Sequence, residues 1–345
     1  MEKKRILTVI PFTENQKKRL EEAAAGAELC FRDLQSITAE EVKRAEIILG
    51  NVPAEMVKEA ERLEWLHLNS AGFDDYVKEG ILREKTLLTN SSGAYGKAVS
   101  EHMFAMLLAM QKKLHLYRDL QRQHMWGDEG EVTSIADSVI LVLGTGDIGL
   151  HFAELAHALG AYVIGVKRTL VPCPDCMDEL HVMSELDELL QRADSVVSFL
   201  PSTQETRGLF GKKRFALMKE GSFFLNGGRG DLICTEDLCD VLESGHLAGA
   251  ALDVTSPEPL PKEHRIWDIP TAFITPHISG SYHLPETLRN VVSIAVENVR
   301  RYMAGEALDI AAVVFSNEEG VLGKTSKADS LFEQTSRFVR QKKGR

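Results

Sequence analysis

The sequence predicts an α/β chain of two doubly wound parallel sheets, and three observations carry that expectation. Short apolar runs rich in β-branched residues alternate with amphipathic helical patterns along most of the chain, as in parallel strands covered by helices on both faces. At 345 residues the chain is too large for one small core, so two domains are expected. A β-α-β unit from Val139 to Thr169, broken by Gly144-Thr145-Gly146-Asp147-Ile148-Gly149, is the element around which the rest is organised.

In chain order, strands are expected at Ile6 to Ile10, Ile47 to Gly50, Trp65 to Asn69 and Thr86 to Thr89. Helices fall between them, one opening at Thr38-Ala-Glu-Glu41 with the spacing of a capping box. Two Gly/Ser turns, Asn69-Ser70-Ala71-Gly72 and Asn90-Ser-Ser-Gly93, follow strand ends, where open α/β sheets place their ligands. Backbone amides in such turns form a concavity suited to a carboxylate or phosphate. From Tyr95 one long helix is expected to about Gln123, ending near Trp126-Gly127 and leading into the glycine unit. Further strands follow at Ser195 to Leu200, Ser222 to Asn226, Ala248 to Asp253 and Ala272 to Thr275, each preceded by a helix. A last helix, about Pro285 to Met303, returns the chain to the first domain, where Ile310 to Phe315 finishes it.

The glycines of the central unit have separate physical tasks. Gly144 permits the sharp exit from the strand, Gly146 lets the backbone approach a pyrophosphate, and Gly149 lets the helix lie close to the sheet. Strand, turn and helix are in the right order, so this is read as a dinucleotide site. About twenty residues on, a site for NAD carries an acidic residue that accepts from the ribose 2′-hydroxyl. Lys167-Arg168-Thr169 stands there instead, and two cations with a hydroxyl suit a 2′-phosphate. NADP(H) is therefore favoured, with NAD(H) as the other candidate.

Composition narrows the class. Hydrophobic content of 44% and charged content of 26% are those of a soluble globular protein. Forty basic against 51 acidic residues give a net charge of −11, which argues against nucleic acid or an anionic membrane as partner. No apolar run approaches bilayer length, and MEKKRILTVIPF is too short an apolar start for a signal peptide. Five scattered cysteines suit a reducing compartment, so cytoplasm is expected. Cys173-Pro-Asp-Cys176 has the spacing of a redox dithiol or half a zinc site, but Cys234 and Cys239 have the wrong spacing to complete one. These are read as structural thiols, and no metal is expected. From Val321 to Arg345 the composition turns basic, seven cations against two anions, which reads as a solvated tail, with a short amphipathic helix through Leu331, Phe332, Phe338 and Val339 as the other candidate.

Three more segments end strands of the second domain, on the same edge as the glycine loop. They carry Arg229, Glu258 and His277. Reducing a carbonyl needs a proton donor, and histidine beside a carboxylate suits that task. Arginine presents a permanently charged fork that can hold a carboxylate and polarise the adjacent carbonyl. Hydride transfer to a 2-oxo acid fits the set.

With these residues in view, the chain resembles the D-isomer-specific 2-hydroxyacid dehydrogenases, which include glyoxylate/hydroxypyruvate reductases and 3-phosphoglycerate dehydrogenases. The matching stretches are Asn69 to Gly72, Val99-Ser-Glu-His102, the glycine loop, Leu200-Pro201-Ser202-Thr-Gln-Glu-Thr206, Arg229, Asp253 to Leu260 and Thr275-Pro-His277. The resemblance runs in family order up to about residue 316. It implies a Rossmann cofactor domain, 97–284, inserted in a flavodoxin-like substrate domain, 1–96 plus 285–316, with the tail 317–345 outside it. It implies that Arg229, Glu258 and His277 are the catalytic set, and that Ser70, Ala71 and Gly72 help hold the substrate carboxylate with Arg229 and His277. By the same likeness Leu200, Pro201, Ser202 and Thr206 line the adenosine side of the cofactor and Gly227 and Asp253 lie near the nicotinamide, with Gly228, Arg229, His277 and Gly280 also counted among the cofactor-binding residues. A homodimer through the cofactor domain is also implied. Lys167-Arg168 departs from the NAD-using members, and the regulatory domain of the longer phosphoglycerate dehydrogenases is missing from this sequence. A protein of another class on the same fold, a nucleotide-sensing corepressor with little or no turnover, is the competing expectation.

Overall fold

The computed structural model describes residues 3–83 and 86–308. The chain divides into two compact units, one made of residues up to Ala94 together with those from Tyr282 onward, the other of Tyr95–Ser281. Each has its own parallel sheet and its own core. The expected strand Ile310 to Phe315 and the basic tail lie outside the described residues.

The first unit holds β1 (Arg5–Thr8), β2 (Glu28–Phe31), β3 (Ile47–Leu49), β4 (Trp65–His67) and β5 (Leu87–Thr89), in the order β2-β1-β3-β4-β5. Its short helices are α1 (Glu14–Ala23), α2 (Ala39–Arg44) and α3 (Ala54–Lys58). The capping box opens α2 as expected, with the Thr38 side chain accepting from the Glu41 amide. Leu7, Ile48, Leu66 and Leu88 from neighbouring strands meet in its core. The sequence reading did not include β2. This edge strand has one exposed and three half-buried residues, and its apolar run, Leu29-Cys30-Phe31, is only three residues long.

In the second unit the single helix expected from Tyr95 is two helices, α4 (Gly96–Gln111) and α5 (Leu114–Arg122). Lys113 adopts a left-handed conformation, φ 55°, which interrupts the hydrogen-bond ladder between them. Then come β6 (Val139–Leu143), α6 (Asp147–Ala158), β7 (Tyr162–Lys167), β8 (Glu179–Val182), α7 (Leu186–Leu190) and β9 (Ser195–Ser198). They are followed by α8 (Lys212–Phe215), β10 (Ser222–Asn226), α9 (Thr235–Glu243), β11 (Leu247–Leu252) and β12 (Ala272–Ile274). A 3-10 turn, Arg265–Asp268, precedes β12 where a helix was expected. The order β12-β11-β10-β9-β6-β7-β8 runs outward both ways from β6 and β9, so this is a Rossmann sheet with its switch point beside the glycine loop. The half-buried edge strand β8 also went unseen in the sequence.

The last helix, α10 (Pro285–Ala304), belongs to the first unit and packs on α1. Proline at its first turn and Gly305 in the left-handed region after its end set its limits. Near its C-terminus Tyr302 stacks on buried Trp65, ring centroids 5.1 Å apart, and donates to Glu64 at 2.7 Å.

Candidate active site

The site is built on the C-terminal edge of the seven-stranded sheet, where loops from adjacent strands touch. Gly144, with φ 89°, turns the chain out of β6 and lies against Phe199 and Leu200 at the end of β9. Leu200 in turn meets Gly228 after β10, and a side chain on Gly230 would collide with the Thr255 backbone after β11. Four loops thus stand side by side in sheet order.

Glycine geometry tests whether a dinucleotide fits. A Cβ on Gly149 would strike the Gly144 carbonyl, so close helix packing requires glycine there. A Cβ on Gly146 would meet nothing within 4 Å, and this exposed residue caps α6. Open space at the amide-rich start of a twelve-residue helix is the cradle a pyrophosphate needs, and the residues fit the group. Asp147 opens the helix with its carboxylate 3.6 Å from His151. The Thr145 side chain is buried, its methyl turned into the sheet at Gly165, which leaves only its backbone for a ligand. Ile148 is half-buried behind Asp147.

Next to the glycine loop in the sheet, Lys167 ends β7 and Arg168 and Thr169 are exposed. Glu205 lies within electrostatic reach of Arg168. Its carboxyl is held below the usual carboxylate range by the Thr203 hydroxyl, by its own amide and by that guanidinium. The Leu200 to Thr206 turn closes on itself, since the Thr206 hydroxyl donates to the Pro201 carbonyl at 2.6 Å and accepts from the Thr203 amide at 2.8 Å. Ser202 donates to Asp231 at 2.6 Å, so both hydroxyls have partners within the protein.

At the other end of the row stand the three groups expected to carry chemistry. His277 Nδ1 lies 2.8 Å from Glu258 Oε2, and the other oxygen of Glu258 accepts from the Thr255 amide at 2.9 Å. The carboxylate is thereby fixed to the chain that carries it while it orients the imidazole. His277 has φ 51°, a left-handed conformation unusual for histidine, and its amide is held by the Asp253 and Thr275 carbonyls. Arg229 is half-buried on the loop after β10, with its guanidinium donating to the Gly228 carbonyl at 2.8 Å. Asn226 braces this turn, donating to the Arg229 carbonyl and accepting from the Gly228 amide.

Buried Asp253 anchors the histidine loop. One oxygen accepts from the Thr275 hydroxyl at 2.6 Å and the Ile278 amide at 3.0 Å, and the other from the Ser279 amide and hydroxyl. His102 of α4 reaches the same Thr275 hydroxyl at 3.0 Å. Gly280 follows, packed against the Tyr95 ring. Thr255, Thr275 and Asn226 were given no role from the sequence, although Thr255 and Thr275 stand in matching stretches. Their roles depend on which loops become neighbours, and only the strand order reveals that.

Among the described residues, no group of three or more His, Cys, Asp or Glu is placed to hold a metal ion. Among them too, no helix is long and apolar enough to cross a membrane.

Residues 104–279 match the family described as D-isomer specific 2-hydroxyacid dehydrogenase, NAD binding domain. The chain belongs to that family. Like its relatives, this dehydrogenase is an oxidoreductase of hydroxy acids with a nicotinamide-binding domain. It is 29% identical to a glyoxylate/hydroxypyruvate reductase B of Klebsiella pneumoniae over 269 residues, 76% of this chain and 82% of the relative. A family member of known structure from Aeromonas salmonicida superposes with a TM-score of 0.78 at 31% identity, covering 89% of this dehydrogenase and 98% of the other chain. An NADPH-dependent glyoxylate/hydroxypyruvate reductase from Sinorhizobium meliloti, solved with NADP and sulfate, gives 0.76 at 26% identity over 90% and 98% of the two chains.

Proposed function

We propose that the protein reduces a small 2-oxo acid to the D-2-hydroxy acid, with NADP(H) preferred over NAD(H). The observation that carries this reading is the His277–Glu258 pair at 2.8 Å, on the sheet edge that also holds the glycine loop and Arg229. The cofactor, when bound, supplies the hydride. Glu258 occupies Nδ1 of His277, so the proton given to the developing alkoxide comes from Nε2. Arg229 binds the substrate carboxylate and polarises the carbonyl beside it, as a planar cation does best. The amides of the Ser70–Gly72 turn are assigned to the same carboxylate. Lys167, Arg168 and Thr169 replace the usual acid, and the likeness to an NADPH-dependent reductase supports a 2′-phosphate there. Five free thiols accord with the cytosol, and the working form is taken to be a homodimer through the cofactor unit.

The test is NADPH oxidation with glyoxylate or hydroxypyruvate. Turnover should fall by at least about 10²-fold in His277→Ala, the usual loss of a general acid, while the variant still binds NADPH. Wild-type cofactor binding without turnover across a broad 2-oxo acid panel would reject the enzyme in favour of a nucleotide sensor.

A further inference from the structure

The 69–72 turn of the first unit is tied down on one side only. Asn51 and Asn69 make a reciprocal pair: the Asn51 amide donates to Asn69 Oδ1 at 2.7 Å, and the Asn69 amide to Asn51 Oδ1 at 3.0 Å. A backbone N–H can only donate, so both side-chain oxygens are identified and both Nδ2 groups must act as donors. Asn51 Nδ2 donates to Ser70 Oγ at 2.9 Å, and Asn69 Nδ2 donates to the Tyr282 hydroxyl. The Ser70 hydroxyl donates its own hydrogen bond to the Gly72 carbonyl at 2.6 Å. The Ala71 carbonyl accepts from Asn90 Nδ2 at 2.7 Å, and the Ser70 carbonyl from the Ser91 amide at 3.0 Å.

Every carbonyl from Ser70 to Gly72 is therefore taken. The amides of Ala71 and Gly72 have no hydrogen-bond partner among the described residues. Half-buried donors without partners, on a turn whose acceptors are all satisfied, are poised for an anion. The Ser70 hydroxyl accepts one bond and donates its only proton, so it is not the group that recognises the substrate.

We propose that Asn51, Asn69, Asn90 and Tyr282 are positioning residues that hold the carbonyl side of the 70–72 turn, leaving its amide side for a substrate carboxylate. The inference rests on the reductase reading and names the residues that set substrate affinity at this turn. Tyr282 extends it to the chain that follows the acid/base loop, five residues after His277. A shift in that segment would change the bond to Asn69, and so the turn.

Two substitutions test it. Tyr282→Phe keeps the ring and removes the acceptor for Asn69. Asn51→Asp keeps Oδ1 for the Asn69 amide but turns the other donor into an acceptor, which draws the Ser70 proton away from Gly72. Each variant should raise KM for glyoxylate and Kd for oxalate, measured with NADP+ present, by about tenfold, the order of one hydrogen bond. kcat, NADPH affinity and Tm should change little, since uniform binding is lost and not transition-state stabilisation. Unchanged KM and Kd, or a fall in kcat and Tm with KM unaltered, would overturn the proposal. If the wild type binds oxalate in this variant-sensitive way yet reduces no 2-oxo acid, the reductase reading fails and the turn assignment stands. A wild type that binds no oxalate removes the turn assignment whatever its turnover.

Discussion

At the residue scale, the cations after β7 and the histidine in β4 make opposite uses of charge. Arg168 is exposed and already shares its surroundings with the carboxylate of Glu205, so a 2′-phosphate would compete with that carboxylate for it. Replacing Lys167 and Arg168 together by alanine should weaken NADPH binding by about 10²-fold or more while changing NADH by far less, two charge-assisted contacts being lost for one cofactor only. Equal losses in a fluorescence titration with both cofactors would remove the phosphate assignment. His67 is fully buried, its ring bonded to the Thr89 hydroxyl at 2.7 Å, and burial pushes its pKa down from 6.5 to about 3. The folded state keeps this ring neutral while the unfolded chain takes up a proton below pH 6.5. Its contribution to stability is therefore full above that pH and is lost as pH falls towards 3, by at most about 1.4 kcal/mol per pH unit. His67→Gln should lower stability at pH 8 but flatten the decline between pH 6.5 and 4. Denaturation curves that stay parallel for wild type and variant would contradict this.

Arg229, Glu258 and His277 could be seen in the sequence because each ends a strand in a recognisable motif, and the structure joins Glu258 to His277 directly. Asn51 could not be seen. Its partner is 18 residues away in the turn after the next strand, and no local pattern marks a side chain whose work is to hold another loop's backbone.

At the scale of elements, two glycines of one motif should respond differently to the same added methyl group. Gly149→Ala places a Cβ against the Gly144 carbonyl, backbone against backbone, so α6 must move off the sheet. Overpacking of this kind costs about 1–3 kcal/mol and should lower Tm. Gly146→Ala meets no protein atom within 4 Å and has φ −88°, open to any residue. It should leave Tm nearly unchanged yet weaken NADPH, because the methyl stands where the pyrophosphate must approach. Comparable Tm losses in both variants would mean that Gly146 is structural. Element type was legible wherever apolar runs were buried on both faces, as in β6 and β10. It failed at β2 and β8, edge strands with half-exposed faces, and at Lys113, where a helical periodicity carried straight through a left-handed residue.

For the whole molecule, the two sheets have separate cores, and apolar surface remains outside both. Leu114, Met125, Trp126 and Val132 are exposed on α5 and the chain after it, with Trp126 entirely so. If the proposed homodimer forms through the cofactor unit, these exposed apolar side chains are the surface it would cover. Met125→Glu with Trp126→Glu should convert a dimer to a monomer in sedimentation, with NADPH binding retained. A dimer that survives both changes uses another face. The basic tail, which the sequence left open between a solvated segment and a short amphipathic helix, lies outside the described residues.

The stacking of Tyr302 on Trp65 bears on how the polypeptide leaves the ribosome. Residues Tyr95–Ser281 can complete their fold before α10 has been synthesised, whereas the N-terminal sheet must wait for that helix before Trp65 is covered. Throughout that interval the nascent chain presents an indole and its apolar neighbours to the solvent. The early-made sheet is therefore the last to mature, and it is the part that a chaperone or a protease would meet first.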